Sequence, residues 1–230
     1  MTDVPIIRQF VNFQFFKVNP EWRMVDPEIC EKGKQEFLQV IQEYSQRVIV
    51  RPYTLLGVRA DCELMFWRIS EHLDDFHAMS AKIAATLFGQ YLIPVYSYLS
   101  MTKRSMYIDK ISPEHIESRT RVIPGKYKYI FVYPFIKSRD WYLLPLSERQ
   151  LAMDEHIRIG SKYPSVKLNT TYSFGLDDQD FVVAFESDQP SDFLDLVMEL
   201  RESQASKYTV RDTPTFTCIA KPIQDILTCY

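Results

Sequence analysis

The sequence repeats one plan twice, and this repeat limits the fold more than any other feature. Each half places strand-like and helical patterns in the order strand, helix, strand, strand, helix, strand. The landmarks keep their spacing, because Trp22 lies 35 positions before Gly57 and Trp141 lies 34 positions before Gly175. The predicted strands are 8–18, 48–58, 62–69, 95–102, 127–136, 166–176, 180–187 and 215–221, and the predicted helices are 32–46, 73–88, 146–162 and 190–206. This order predicts an α+β fold of tandem ferredoxin-like repeats with antiparallel sheets.

Further aromatic residues support the same alignment of the halves. Trp67 and Phe185 each lie ten positions after their glycine, and Phe76 and Phe193 follow Gly57 and Gly175 by 19 and 18 positions. The predicted division is an N-terminal half at 1–102, a connecting segment at 103–126 and a C-terminal half at 127–230. The connecting segment is charged and has Pro-Gly at 124–125, near its end, and structureless loops of such length usually carry function.

Composition excludes several classes of protein. Only 6 of the 230 residues are glycine, and none are spaced to form the phosphate-binding loops of dinucleotide or P-loop proteins. The net charge of −3 and the lack of a basic block argue against a nucleic-acid partner. The 4 cysteines show no CxxC spacing, and no GxSxG motif or hydrolytic triad is evident. Without a leader-like start or a membrane-length apolar run, we expect a cytoplasmic protein with no membrane span.

His156 lies on the apolar, small-residue side of its predicted helix, near Ala152, Met153 and Ile159. Two interpretations remain open for an imidazole in this setting. It is either a core histidine with satisfied hydrogen bonds or a neutral ligand to one metal ion. Because no second ligand lies at metal-binding spacing, the metal interpretation favours axial ligation of haem iron, whose other ligands come from the porphyrin.

Two other features each allow a structural and a functional interpretation. Arg201 continues an apolar stripe with Leu194, Val197 and Met198, where it could contact the last helix carbonyls or bind a substrate carboxylate. The segment VYPFIKSRDWYLLP (132–145) is either an edge strand with a solvated turn or a phenol with two cations facing an anionic, redox-active ligand.

Five segments in the second half resemble the chlorite dismutase-like family, and within it the coproheme decarboxylases. They are VYPFIKSRDWYLLP, ERQLAMDEHIRIGSKY, YSFGLDDQDFVVAFESD, LVMELRESQASKY and TPTFTC, in this order over about 127–221. The tandem plan extends the resemblance over nearly the whole chain. The resemblance implies a fold of the dimeric α+β barrel type and, for this branch, a homopentamer.

The resemblance also implies roles for individual residues. His156 matches the proximal ligand of the haem iron, and Tyr133 matches a tyrosine thought to carry a radical. Lys137 and Arg201 match residues that contact propionates, although Glu202 replaces a phenylalanine of that motif, and Trp141 matches the tryptophan of the WY motif. Chlorite dismutases have an aliphatic residue at the Tyr133 position and lack the arginine at Arg201, so both residues favour decarboxylation.

One position departs from the family pattern. The distal position falls on Leu168, where chlorite dismutases have arginine and one group of decarboxylases has glutamine. Another decarboxylase group uses a histidine upstream of the tyrosine, which makes His115 the candidate base for the peroxide proton. Arg119 or Arg121 is a candidate for a further propionate contact.

The activity implied by this resemblance is the peroxide-dependent oxidative decarboxylation of two propionates of iron coproporphyrin III to vinyls, giving haem b. Iron coproporphyrin III is then both substrate and cofactor, and hydrogen peroxide is the oxidant. The alternatives are a chlorite dismutase or haem peroxidase, and, outside the enzymes, a haem-binding or carrier protein.

Overall fold

The computed structural model describes residues 7–105, 107 and 121–230. Within these residues, the strands are β1 (Phe10–Val18), β2 (Ile49–Thr54), β3 (Leu64–Ser70), β4 (Leu92–Met101), β5 (Tyr129–Lys137), β6 (Lys167–Tyr172), β7 (Phe181–Ser187), β8 (Thr209–Arg211) and β9 (Phe216–Ala220). The helices are α1 (Pro27–Tyr44), α2 (Leu73–Ala85), α3 (Arg139–Leu143), α4 (Leu146–Gly160), α5 (Pro190–Glu202) and α6 (Ile223–Leu227). His115 and Arg119 lie outside the described residues, as does most of the predicted connecting segment.

The predicted α+β fold with antiparallel strands and a repeated order of elements is confirmed. Several boundaries differ from the predicted ones, and the largest difference is at α1, which begins at Pro27 and not near residue 32. The Asp26 side chain accepts a hydrogen bond from the Glu28 backbone N–H at 2.9 Å, and Pro27 suits the first position of a helix. The short elements α3, β8 and α6 were not predicted, since none is long enough to show a hydrophobic period.

The chain groups into two compact units. Unit 1 contains the described residues up to Leu99 together with Thr217–Tyr230, and unit 2 contains those between Ser100 and Phe216. The last segment joins unit 1 because β9 pairs with β2, where Thr54 faces Ile219, and because α6 packs into the unit 1 core. The sequence placed this segment in the C-terminal half.

Unit 1 is a sheet in the order β4-β1-β3-β2-β9 with α1 and α2 packed on one face. Aromatic rings fill the space between the sheet and the helices. Phe37 from α1 is fully buried, with its ring centroid 5.2 Å from that of Phe88 and 6.0 Å from that of Phe66. Such ring pairs stabilise a core beyond the area that they bury.

Unit 2 is a sheet in the order β6-β7-β5-β8 with α4 and α5 packed on one face. Its core contains Phe131, Phe185 and Phe193 from the sheet and α5, together with Ile159 from α4. The Phe131 and Phe193 rings stack with centroids 4.0 Å apart. We call the sheet surface that these helices cover the helix-side face of unit 2.

The structure refines the alignment of the halves. Gly57 and Gly175 both adopt positive φ, at 76° and 71°, so the two glycines make equivalent turns. Trp67 and Phe185 are not equivalent, because Phe185 packs in the helix-side core, whereas Trp67 stacks on Phe13, which lies on the other face of β1. The two strands β3 and β7 start 117 positions apart, so Arg68 is the counterpart of Phe185.

Across the described residues, no helix combines the length and apolar character needed to cross a membrane.

Candidate functional site

Four of the predicted site residues come together on the helix-side face of unit 2. Alternate β5 residues, including Phe131 and Tyr133, pack against the core that α4 and α5 cover. Because side chains alternate along a strand, Tyr133 shares this face with Phe131. His156 projects from α4, Lys137 ends β5, and Arg201 lies in the last turn of α5.

His156 is held as a neutral imidazole. Surrounding protein desolvates the ring, and the nearby Lys137 charge adds to this effect, so that the pKa of His156 falls to about 4. Its imidazole makes no hydrogen bond to any described residue. It keeps some exposed surface, which means that a ring nitrogen remains available to a ligand. A core histidine with satisfied hydrogen bonds would have a partner, and none is present among the described residues.

Lys137 is a partly buried cation with a fixed position. Its Nζ donates a hydrogen bond to the Ala205 carbonyl at 2.8 Å and lies 4.3 Å from the centroid of the buried Trp141 ring. The Lys137 backbone N–H donates to Asp180 Oδ2 at 2.9 Å. Burial lowers the pKa of Lys137 to about 8, and the side chain therefore remains mostly charged at neutral pH.

Tyr133 is a protonated phenol among aromatic rings. Its ring stacks on Phe185 with centroids 6.1 Å apart. Burial raises the pKa of Tyr133 well above its usual range, the Asp212 carboxylate raises this pKa further, and the Arg201 charge opposes them. Like His156, the Tyr133 side chain makes no hydrogen bond within the described part of the chain, and it keeps some exposed surface.

The Arg201 side chain has a partner that neither sequence-based interpretation included. Its guanidinium extends to Asp212, with Nη2 3.3 Å from Oδ2, and not to the last carbonyls of α5. The stripe that carries it is only partly a core stripe, because Val197 packs against the core while Leu194 and Met198 are exposed. A mostly exposed guanidinium beside Tyr133 is placed to contact a ligand carboxylate.

The shape of this region follows from burial and exposure together. His156, Lys137 and Tyr133 are all strongly desolvated by surrounding protein, yet each keeps some surface in contact with solvent. Side chains with both properties line a recess and not a convex surface. The recess therefore presents a neutral imidazole, an ammonium group and a phenol.

The remaining predicted residues have different positions. Leu168 on β6 lies opposite Phe185, so it points to the helix-side face, where it is 49% exposed. Arg121 is exposed, and its role stays a prediction. His115 and Arg119 are outside the described residues, and their roles stay predictions.

Sequence reasoning missed two carboxylates. Asp180 accepts hydrogen bonds from the Lys137 backbone and from Tyr142 Oη at 2.7 Å, which fixes the end of β5. It lies in LDDQD, a pattern that by itself predicts only a turn. Asp212 pairs with Arg201, and no sequence motif marks it. Among the described residues, no three His, Cys, Asp or Glu side chains cluster as they would to hold a metal ion.

Comparisons with known proteins agree on one family. The family model for chlorite dismutase matches residues 30–221. A coproheme decarboxylase from Mycolicibacterium smegmatis is 32% identical over 181 residues, which cover 76% of this chain and 75% of that protein.

Solved structures of similar proteins have the same fold as this chain. The chlorite dismutase from Candidatus Nitrospira defluvii in complex with imidazole superposes with a TM-score of 0.87 at 25% identity, over 96% of this chain and 94% of that chain. A protein described as a novel haem-binding protein from Thermus thermophilus superposes with a TM-score of 0.85 at 24% identity, over the same shares of the two chains. By its sequence and its fold, this chain belongs to the chlorite dismutase family.

Proposed function

We propose that the protein decarboxylates two propionates of iron coproporphyrin III with hydrogen peroxide as oxidant, giving haem b. The observation that carries the proposal is the neutral His156 imidazole, which has no hydrogen-bond partner among the described residues and lies in a recess that also holds Tyr133, Lys137 and Arg201. A relative named coproheme decarboxylase supports the same reaction.

The recess fits an iron porphyrin that carries carboxylates. A single imidazole suffices for a metal whose other ligands belong to a macrocycle, and its pKa of about 4 leaves it unprotonated at neutral pH. Two cations, Lys137 and Arg201, provide charge-assisted hydrogen bonds for propionates. The exposed aliphatic side chain of Leu168 gives an apolar contact of the kind that a porphyrin needs.

Iron held by His156 would supply the redox chemistry with peroxide. The chain supplies position and a proton-bearing phenol. Burial keeps the Tyr133 phenol protonated. Once oxidised, this phenol would have lost its hydrogen atom, and its oxygen would take a hydrogen atom from a propionate side chain and so pass the oxidising equivalent on. Each propionate and one hydrogen peroxide, with one proton taken up, give a vinyl group, carbon dioxide and two waters. Lys137 and Arg201 hold carboxylates while this occurs.

Other parts of the proposal rest on the family resemblance. His115 is the proposed base for the peroxide proton, and Arg119 or Arg121 is a proposed further contact to a propionate. The proposed assembly is a homopentamer in the cytoplasm, with no nucleic-acid partner.

The aliphatic side chain at Leu168 favours decarboxylation over chlorite chemistry. Chlorite is an anion, and the resemblance places an arginine at this distal position in chlorite dismutases. Here the position carries no charge and faces the recess. The relation to chlorite dismutase structures nevertheless makes that activity the alternative to test.

One experiment separates the candidates. Purified protein is loaded with iron coproporphyrin III and titrated with hydrogen peroxide, while mass spectrometry and absorbance follow the porphyrin. Loss of two carboxyl groups supports the proposal. Oxygen release from chlorite with an intact porphyrin would support a chlorite dismutase, and a bound porphyrin with neither reaction would support a carrier. If the protein binds no iron porphyrin, the proposal is wrong.

A further inference from the structure

The Arg201–Asp212 pair is an unusual element of a site that must bind anions. Arg201 Nη2 lies 3.3 Å from Asp212 Oδ2, and no second contact between the two groups is present. The Arg201 side chain is 69% exposed and that of Asp212 is 33% exposed. Within the described residues, Asp212 is the only partner of the Arg201 guanidinium.

The fold places this pair beside Tyr133. Strand β8 pairs antiparallel with β5, where Arg211 lies opposite Ile136. The next residue, Asp212, therefore continues along β5 toward Phe135 and Tyr133. Arg201 reaches the same place from the end of α5, whose residues Val197 and Leu200 pack on the core beside Tyr133.

Electrostatics agree with this placement. The Asp212 carboxylate and the Arg201 guanidinium are the two charges that act on the Tyr133 phenol, and they shift its pKa in opposite directions. The phenol therefore lies within the field of both members of the pair. A ligand carboxylate that approaches Tyr133 meets one attractive and one repulsive charge.

The pair is weak enough to exchange. A guanidinium has five N–H donors and binds a carboxylate best through two parallel hydrogen bonds. Asp212 offers it one contact at the upper end of hydrogen-bond distance, and exposed pairs of this kind add little stability. A carboxylate that presents both oxygens can therefore displace Asp212 at small cost.

This inference rests on the proposed function. We propose that Asp212 is the counter-ion that Arg201 exchanges for a substrate carboxylate, and that Asp212 thereby limits the affinity of the site for carboxylated porphyrins. Arg201 then has an anionic partner both before substrate binds and after a carboxylate has left as carbon dioxide. Asp212 acts through Arg201, so it is a positioning residue.

The test is a binding titration with iron coproporphyrin III without peroxide, followed by absorbance and by quenching of protein fluorescence. We expect Asp212→Asn to bind the porphyrin about three- to fivefold more tightly than wild type at low salt, since a competing anion is gone. The gain should shrink in about 0.5 M NaCl, because salt screens exposed charges. Asp212→Glu keeps the charge and should bind as wild type does.

Two controls make the result specific. Asp225→Asn removes the same charge from an exposed position in unit 1 and should leave affinity unchanged. In an Arg201→Gln background, adding Asp212→Asn should no longer tighten binding. Thermal melting curves check that each variant is folded.

Unchanged or weaker binding by folded Asp212→Asn would overturn the inference, and so would equal tightening in the Arg201→Gln background. Because no peroxide is present, a failure of decarboxylation does not affect this result. If wild type binds no iron coproporphyrin III, the inference fails together with the proposed function.

Discussion

The two units share one plan but use the space under their helices differently. Trp22 and Trp141 lie 119 positions apart, and so do the starts of β1 and β5 and of α1 and α4. At this offset, Phe37 in unit 1 corresponds to His156 in unit 2. Phe37 is fully buried between other aromatic rings, whereas His156 lies in a recess without a hydrogen-bond partner in the described chain.

The same contrast holds at the end of the first strand of each unit. Val18 of β1 corresponds to Lys137 of β5, and Val18 is buried in the unit 1 core. Unit 1 has its polar side chains at other positions. Arg68 donates a hydrogen bond to Asn12 Oδ1 at 2.7 Å, and the corresponding residues of unit 2 are the core phenylalanines Phe185 and Phe131. Equivalent helices and strands therefore enclose a filled aromatic core in unit 1 and an open polar recess in unit 2.

The strongest test of this contrast changes the two equivalent helix positions. We expect Phe37→Ala to destabilise the protein by about 3–5 kcal/mol, because it leaves a cavity in a closed core. His156→Ala should abolish decarboxylation and leave the free energy of unfolding nearly unchanged at neutral pH, since the imidazole makes no hydrogen bond to the described residues. Denaturant unfolding and the peroxide assay measure the two effects. Equal loss of stability in both variants would remove the distinction between the units.

A second variant separates binding from chemistry in unit 2. We expect Tyr133→Phe to bind iron coproporphyrin III as wild type does but not to decarboxylate it, because only the phenolic oxygen is removed. Product mass after peroxide addition measures turnover. Tyr129→Phe, which changes a tyrosine on the same face of β5, is the matched control and should react normally. Full turnover by Tyr133→Phe would reject a role for the phenol.

A third variant replaces Lys137 of unit 2 with an apolar side chain, as at the equivalent position of unit 1, Val18. We expect Lys137→Met to weaken binding of iron coproporphyrin III about ten- to hundredfold, because a charge-assisted contact to a propionate is lost. Lys128→Met removes an exposed lysine next to the start of the same strand and should have little effect. Absorbance titration gives both dissociation constants, and equal affinities for the two variants would contradict the assignment of Lys137.

The smallest effect is a pH dependence of stability in the porphyrin-free protein. The pKa of His156 is about 4 in the folded state and about 6.5 in an unfolded chain. The unfolded state therefore binds an extra proton between these values, so His156 has no effect on folding above about pH 6.5 and increasingly opposes folding as pH falls toward 4.

The expected loss is about 1–2 kcal/mol after allowance for partial exposure of the ring. His156→Phe, which copies Phe37 of unit 1, should show a flatter dependence over this range. Denaturant unfolding at a series of pH values measures it, and identical slopes for the two proteins would show that His156 is not desolvated.

The unit 2 side of this contrast could be predicted from sequence, because it depends on local patterns. The hydrophobic period of α4 places His156 on an apolar side, and the strand pattern around Tyr133 is equally local. The pairing of Trp67 with Phe185 was wrong by one residue, and a shift of one position in a strand reverses the face. Spacing from a glycine does not reveal such a shift.

The features that sequence did not reveal depend on contacts between distant segments. Asp212 reaches Arg201 only because β8 pairs with β5, and Asp180 reaches the Lys137 backbone across the sheet end. The assignment of β9 to unit 1 depends likewise on its pairing with β2. In the sequence alone, Asp180 and Asp212 resemble ordinary surface carboxylates, because their partners lie in distant segments.

Ligation of the substrate iron by one imidazole of unit 2 underlies the whole proposal, and the visible spectrum of bound iron coproporphyrin III tests it. We expect His156→Ala to lose the spectrum of the wild-type complex and added free imidazole to restore it. A wild-type spectrum in His156→Ala without added imidazole would show that another group holds the iron and would contradict the assignment of His156.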